Sequence, residues 1–389
     1  MKKSFPMHIL ALAALALALA FSACVTVSGP IPIIPSAADT PAPITPATET
    51  PTPEPLPTEG FPATVYDGYE LDMLRAFLEQ TDESGVKNGT KLSAVYDPNS
   101  PYTWNWGIEW STEGGVEHVK AINIADCALV GKLDLTDFCF LTKLDCSSNP
   151  ISELKVDGCF ALSSLCISGN GAWVLLMPDE PSLAVKGAPL PDISDLAGLT
   201  ELQCSYCGAE SLDLSCCPKL EKLDCSMNVL SELDISFCPN LTELCCDYNA
   251  IDKLELSACP LMQQLSCSSN ILSELDASSC PELRSISCVN NRLTSLKLPS
   301  SASKLEHLLL SANELTQLDL STCARLSYLN CGGNDLKELD LSMCGDLACL
   351  ICTGNRLSRI ILSESAPLGT AENDDDVIII LVPTDATNG

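Results

Sequence analysis

The sequence predicts a β-rich α/β solenoid, a chain wound into stacked coils around one continuous apolar core. Three observations predict it. First, a unit of 21 residues repeats with little change over most of the chain after residue 119. In LEKLDCSMNVLSELDISFCPN, with Leu220 as position 0, apolar or sulfur residues fall at positions 0, 3, 5, 10, 13, 15 and 18. Second, each unit holds two short stretches of alternating character (LDCS, then LDIS or LDLS), which place every other residue inward as strands do. Third, an asparagine such as Asn228 or Asn249 stands at position 8. A self-similar period of this length means stacked coils, because one unit cannot bury its apolar ring alone.

The pattern L-x-x-L-x-C-x-x-N-x-L resembles the leucine-rich repeat, with Cys in place of the usual third apolar residue. The resemblance implies a right-handed superhelix whose first strands form a parallel concave sheet, strands roughly 4.8 Å apart. It also implies protein–protein interaction or adhesion. The Asn of position 8 is expected to satisfy loop N–H and C=O groups that have no other partner.

Residues 1–23 read as a signal peptide: Lys2 and Lys3, then an apolar Ala/Leu run too short for a comfortable membrane span. Phe21-Ser22-Ala23-Cys24 resembles the lipobox of bacterial lipoproteins, which implies cleavage before Cys24 and lipid on that residue. Residues 24–60 form a linker crowded with Pro, Thr and Ala, unable to bury a core and inclined to polyproline II. Residues 61–118 fall outside the repeat and are expected to cap the solenoid. YELDMLRAFLEQ reads as a helix with Leu71, Leu74, Phe77 and Leu78 on one face. Trp104, Trp106 and Trp110 join that cap, or alternatively Trp106 and Trp110 offer a stacking platform for a glycan.

Repeats fill residues 119–365. They open at Val119 and continue from Leu141, Leu162, Leu199, Leu220, Leu241, Met262, Leu283, Leu305, Leu326 and Leu347. The long step from Leu162 to Leu199 contains an irregular insertion, 178–198, readable as an eroded repeat or as a loop. Residues 366–389 are expected to supply a capping strand over 377–382 and a disordered tail.

The chain has 23 Cys, and two columns absorb most of them. Position 5 holds Cys146, Cys204, Cys225, Cys246, Cys267, Cys288, Cys331 and Cys352. Position 18 holds Cys159, Cys217, Cys238, Cys259, Cys280, Cys323 and Cys344. Ile167 and Leu310 take position 5 elsewhere, so the site wants a small apolar filler. Stacked strands hold Cβ atoms about 4.8 Å apart, whereas a disulfide needs about 3.8 Å, so these thiols are expected to be reduced and buried. Cys204-x-x-Cys207 and Cys349-x-x-Cys352 are then column residues plus a neighbour, not metal or redox pairs. Cys166, Cys245 and Cys349 are expected on the outward strand face.

The formal charge is −30, and −32 without Lys2 and Lys3. This argues against nucleic acid and against direct contact with anionic lipid. With only His8, His118 and His307 in the chain, no catalytic constellation can be assembled, and no cofactor or metal site is expected. Inward positions are uniform, whereas the outward positions 2, 4, 6 and 7 vary, as on a recognition surface. The candidate partner-binding residues are Glu201, Gln203, Tyr206, Asp224, Glu243, Asp247, Tyr248 and Tyr328. Acid around aromatic anchors favours a basic partner. Together these features describe an exported, lipid-anchored, monomeric cell-surface protein that binds protein. A glycan-binding protein and an envelope protein with no specific ligand are the alternatives.

Overall fold

The computed structural model describes residues 64–104, 107–170, 190–300, 304–374 and 377–383. The expectations for the signal peptide, Cys24, the linker and Trp106 lie outside the described residues.

The described chain is a parallel β-solenoid of stacked coils. Its first strands lie side by side in one 13-stranded sheet. Strand β1 (Ile108–Glu113) pairs antiparallel with β2 (Val116–Asn123), and every later neighbour is parallel. The repeat fixes the register. Leu144 stands beside Leu165, then Leu202, Leu223, Leu244, Leu265, Ile286, Leu308, Leu329 and Leu350, each one coil further on. These residues, with positions 0, 5, 10 and 18, form a single buried core. Each first strand is short because positions 5 to 8 turn. Their N–H groups bond into the next coil, as in Cys225 N–H to the Cys245 carbonyl at 2.9 Å.

The second stretch of each unit forms a paired strand in some coils only. Gly131–Asp134 pairs with Ile151–Lys155, and Glu274–Asp276 with Ser295–Lys297. Glu338–Leu341, Arg359–Ser363 and Ile378–Val382 form a third sheet. The expected second strand therefore appears in part. Position 14 is commonly Asp, whose carboxylate accepts the N–H two residues on, as Asp234 does from Ser236 at 2.9 Å. That Asx turn ends the stretch after very few residues.

The asparagine column is the fold's polar spine. Asn228 Nδ2 donates to the carbonyls of Cys204 and Cys225, both at 2.9 Å. Its Oδ1 accepts the N–H groups of Cys207 at 3.0 Å and Ala209 at 2.9 Å, one coil earlier. One side chain thus satisfies donors and acceptors on two coils that water cannot reach. The Nδ2 bonds recur at Asn249, Asn270, Asn291, Asn313 and Asn334, where Oδ1 accepts one N–H of the coil before. At the last coil, Asp374 takes over and accepts from Gly354 and Asn355 N–H.

Both cysteine columns are buried, and their described members are free thiols. Position 18 favours Cys for a reason beyond size. The thiols of Cys259 and Cys280 donate to the Ile235 and Leu256 carbonyls of the coil before, each at 3.7 Å. Burial pushes the Cys146 and Cys159 thiols up to about 12, which keeps them protonated.

The N-terminal helix α1 (Gly68–Leu78) begins at Asp67, whose carboxylate accepts the Tyr69 and Glu70 N–H groups. It buries Leu74, Phe77 and Leu78, with Leu71 partly covered, against the first coils. Glu70 is buried too, accepting Val119 N–H at 2.7 Å and facing His118 Nδ1 at 3.3 Å. The short helix α2 (Asn88–Leu92) follows, and Asn88 donates to Phe77 and Val130 carbonyls, tying the helices to the first coil.

Two irregular regions resolve into coils. Ser164–Cys166 pairs directly with Glu201–Gln203, so no strand intervenes. Residues 190–198 complete the coil that Leu162 opens, and the extra length falls at 171–189, outside the described residues. Near the C-terminus, Thr370–Glu372 joins the main sheet beside Cys349–Ile351. Residues 368–382 are therefore a further coil with both of its strands, and not only a capping strand.

Candidate protein-interaction face

The outward face of the main sheet is built from positions 2 and 4 of each strand, flanked by the turn at positions 6 and 7. Within Glu201–Gln203, the Gln203 amide donates to Glu201 at 2.7 Å, and Glu201 also accepts from Ser164 Oγ at 3.2 Å. Cys166 donates its thiol to Gln203 Oε1 at 3.4 Å. Asp224 closes the next strand and accepts both the N–H and the hydroxyl of Ser226. Glu243, one strand further, pairs with Lys222 at 2.8 Å. Glu201, Gln203, Asp224 and Glu243 therefore share one patch across three neighbouring strands.

Asp247 belongs to the seam between coils. It lies beyond its strand, accepts the Ser266 hydroxyl at 2.8 Å, and takes the Ser268 N–H as well. Burial is the main cause that raises its carboxyl to about 6, against the lowering pull of those hydrogen bonds. It is a structural acid here, and its lone pairs are already engaged.

Tyr206 and Tyr248 sit at position 7, in the turn that leaves the strand. Their φ angles are +59° and +55°, in the left-handed region. The same column holds Ser148, Met227, Ser269, Asn290 and Ala312, all left-handed, and glycine at Gly169, Gly333 and Gly354. Two coil steps separate the tyrosines, roughly 10 Å by strand spacing. Tyr206 is exposed and Tyr248 half-buried. Tyr328 stands on a strand, half-buried, its ring centroid 6.4 Å from that of His307. It lies six strands beyond Glu201 in the sheet order, on the order of 29 Å away. The structure thus gathers Tyr206, Tyr248 and the three-strand patch, and leaves Tyr328 outside it.

Of the tryptophans, Trp104 is buried and donates its Nε1 to Asp97 O at 2.8 Å. Trp110 packs edge-on against Tyr66, centroids 4.8 Å apart. Both serve the cap. Lys222 is the contact that residue types alone did not single out. Its signal was a basic and an acidic residue one period apart, a spacing repeated in the opposite order at Asp276 with Lys297 and Glu338 with Arg359.

Among the described residues, no cluster of three His, Cys, Asp or Glu gathers to hold a metal ion. A cavity of about 270 Å³ opens beside the 171–189 boundary, lined by Ile167, Leu190, Ile193, Leu202, Leu212 and Cys216 among others. Among the described residues, no helix is long and apolar enough to cross a membrane.

No family model and no curated protein matches the chain. Among solved structures it is similar to the functional domain of InlJ from Listeria monocytogenes, which includes a cysteine ladder. That likeness has 27% identity over 47% of this chain and 50% of that one, with a TM-score of 0.37. The chain thus spans about half the length of that InlJ structure. It is also similar to the internalin InlF from Listeria monocytogenes, at 16% identity over 66% of this chain and 87% of that one, TM-score 0.41. A third is YopM, a leucine-rich effector protein from Yersinia pestis, at 21% identity over 64% and 88%, TM-score 0.39.

Proposed function

We propose that this chain is a non-catalytic bacterial surface protein that binds a protein partner on the outward face of its first-strand sheet. Lipid on Cys24 holds it to the membrane. One observation carries the reading. Position 3 is Leu or Ile in every strand from 143 to 351, whereas positions 2 and 4 change from coil to coil. Core packing explains the first and does not require the second. The footprint centres on Glu201, Gln203, Asp224 and Glu243, with Tyr206 and Tyr248 at its rim. Lys222 offsets Glu243, and Asp247 is engaged with Ser266, so the preference for a basic partner rests on Glu201, Asp224 and the net charge of −30.

The test is capture of envelope-extract proteins by the full chain and by a Tyr206→Ala/Tyr248→Ala variant of unchanged melting. Capture should fall at least about tenfold, the effect of losing one anchor-sized contact. It should also weaken as salt rises. Equal capture by the variant, at every salt concentration, sinks the reading.

A further inference from the structure

The solenoid's C-terminal end has the properties of a self-association surface. Its last strand, Ile378–Val382, pairs with Arg359–Ser363 on one side and is the edge of its sheet on the other. Ile378 N–H bonds to the Ser358 carbonyl, and Glu364 N–H bonds to the Val382 carbonyl. Residues 378, 380 and 382 therefore turn their backbone groups toward the preceding coil. Ile379 and Leu381 turn theirs toward the open edge.

The side chains are equally unusual. Ile379 and Leu381 align with the buried Ile360 and Leu362, at core positions, yet are 49% and 60% exposed because no further coil among the described residues covers them. On the outward face, at least one of positions 12 and 14 carries a charge in each preceding coil, as in Glu232 with Asp234, Glu274 with Asp276, Glu338 with Asp340, and Arg359 beside Ile361. Such charges discourage strand edges from pairing with other chains. The final strand has isoleucine at both positions, and residues 377–383 carry no charge at all.

We propose that this end binds a second copy of the chain through antiparallel pairing of Ile378–Val382 with itself. About an axis at Ile380, Ile379 of one copy faces Leu381 of the other, and both residues present N–H and C=O groups to the shared edge. The strand is self-complementary, as a twofold interface requires. Charge selects the same arrangement. Two molecules of net charge −30 repel, so contact is favoured where charge is absent. Antiparallel pairing also sends Asp374 of each copy to opposite ends of the contact, whereas parallel pairing would stack them.

Ile379→Pro tests this. Proline there removes an N–H that faces the open edge and none that bonds to the preceding coil, a placement strands tolerate. Sedimentation velocity on the full chain in detergent should show a concentration-dependent dimer. The variant, melting as wild type does, should dimerise at least about tenfold more weakly. A wild-type monomer at every concentration overturns the proposal, as does a dimer that Ile379→Pro leaves unchanged. If the variant melts early, Ile380→p-benzoylphenylalanine decides. Irradiation should join it to residues 377–383 of a second copy, and a link elsewhere or none overturns the proposal.

Discussion

The thiol of Cys207 donates to the carbonyl of Ile167 at 3.3 Å, standing in for the bond that asparagine makes at this position in most other coils. Asn228 makes the equivalent bond to Cys204 and also accepts two backbone N–H groups that Cys207 has no oxygen to serve. The two residues occupy the same place in successive coils and do different amounts of work. Asn228→Ala leaves several buried backbone groups unpaired, each costing about 1–3 kcal/mol. We expect it to cost about 3 kcal/mol or more in denaturant unfolding. Cys207→Ala loses one weak thiol bond and a little volume, about 1 kcal/mol. Equal costs would refute the asparagine spine.

The thiol columns make a second prediction. Alkylation of the native protein should modify the exposed Cys139 first and spare the position-5 and position-18 residues until unfolding. Mass spectrometry on native and unfolded samples distinguishes them, and a Cys225–Cys246 disulfide would contradict the free-thiol columns. Cys225→Arg should be severe, several kcal/mol, because Cys225 is fully buried and a charge there finds no partner.

The lipid anchor predicts that Cys24→Ser releases the protein to the medium or leaves unprocessed precursor. Variant protein that is processed and membrane-bound like wild type would remove the anchor from the proposal.

Much of this fold was legible because its period repeats. Leu202, Leu223 and Leu244 could be aligned by counting, and the counting matches the strand register. Asn228 was legible as a turn-satisfying residue, since a buried amide in a repeat has few other uses. Cys207 was not, because Cys204-x-x-Cys207 draws the eye to its own spacing and hides its place in the asparagine column. Asp247 was misplaced for a related reason. Position 6 is outward in an ideal strand, but the strand ends at Cys245 and the turn folds the acid against Ser266. The left-handed column at position 7 was invisible, since most of its members are not glycine.

Asp247 gives a pH prediction. Its carboxyl titrates near 6 in the folded protein and near the ordinary Asp value of about 3.9 when unfolded. Between those values the folded state binds more protons, so stability falls as pH rises through that window. Asp247→Asn keeps an acceptor for Ser268 and removes the buried charge. It should be more stable than wild type at pH 7 and show a flatter stability profile from about pH 4 to 6. A variant less stable than wild type at pH 7 would mean that the ionised form is the one the seam needs.

Tyr206 and Tyr248 carry the most informative conflict in the chain. A non-glycine residue in the left-handed region costs about 1–2 kcal/mol, and a bulky one is a marked outlier. The stack shows the cheaper solution at Gly333 and Gly354, in the same column with φ of +65° and +70°. A β-carbon on Gly333 would meet the Ala312 backbone only at 3.4 Å, so Gly333→Ala measures the conformational cost alone, about 1 kcal/mol. Tyr248→Gly reverses that change. Relief of strain should exceed the extra freedom glycine gives the unfolded chain, a net gain of about 0.5 kcal/mol. The same variant should lose partner capture. Higher stability with lost capture would mean that the ring is kept for binding at the expense of the fold, as strained residues at functional sites are. Lower stability would mean that the ring packs the neighbouring turns, and the binding face would then have to be sought on the strands alone.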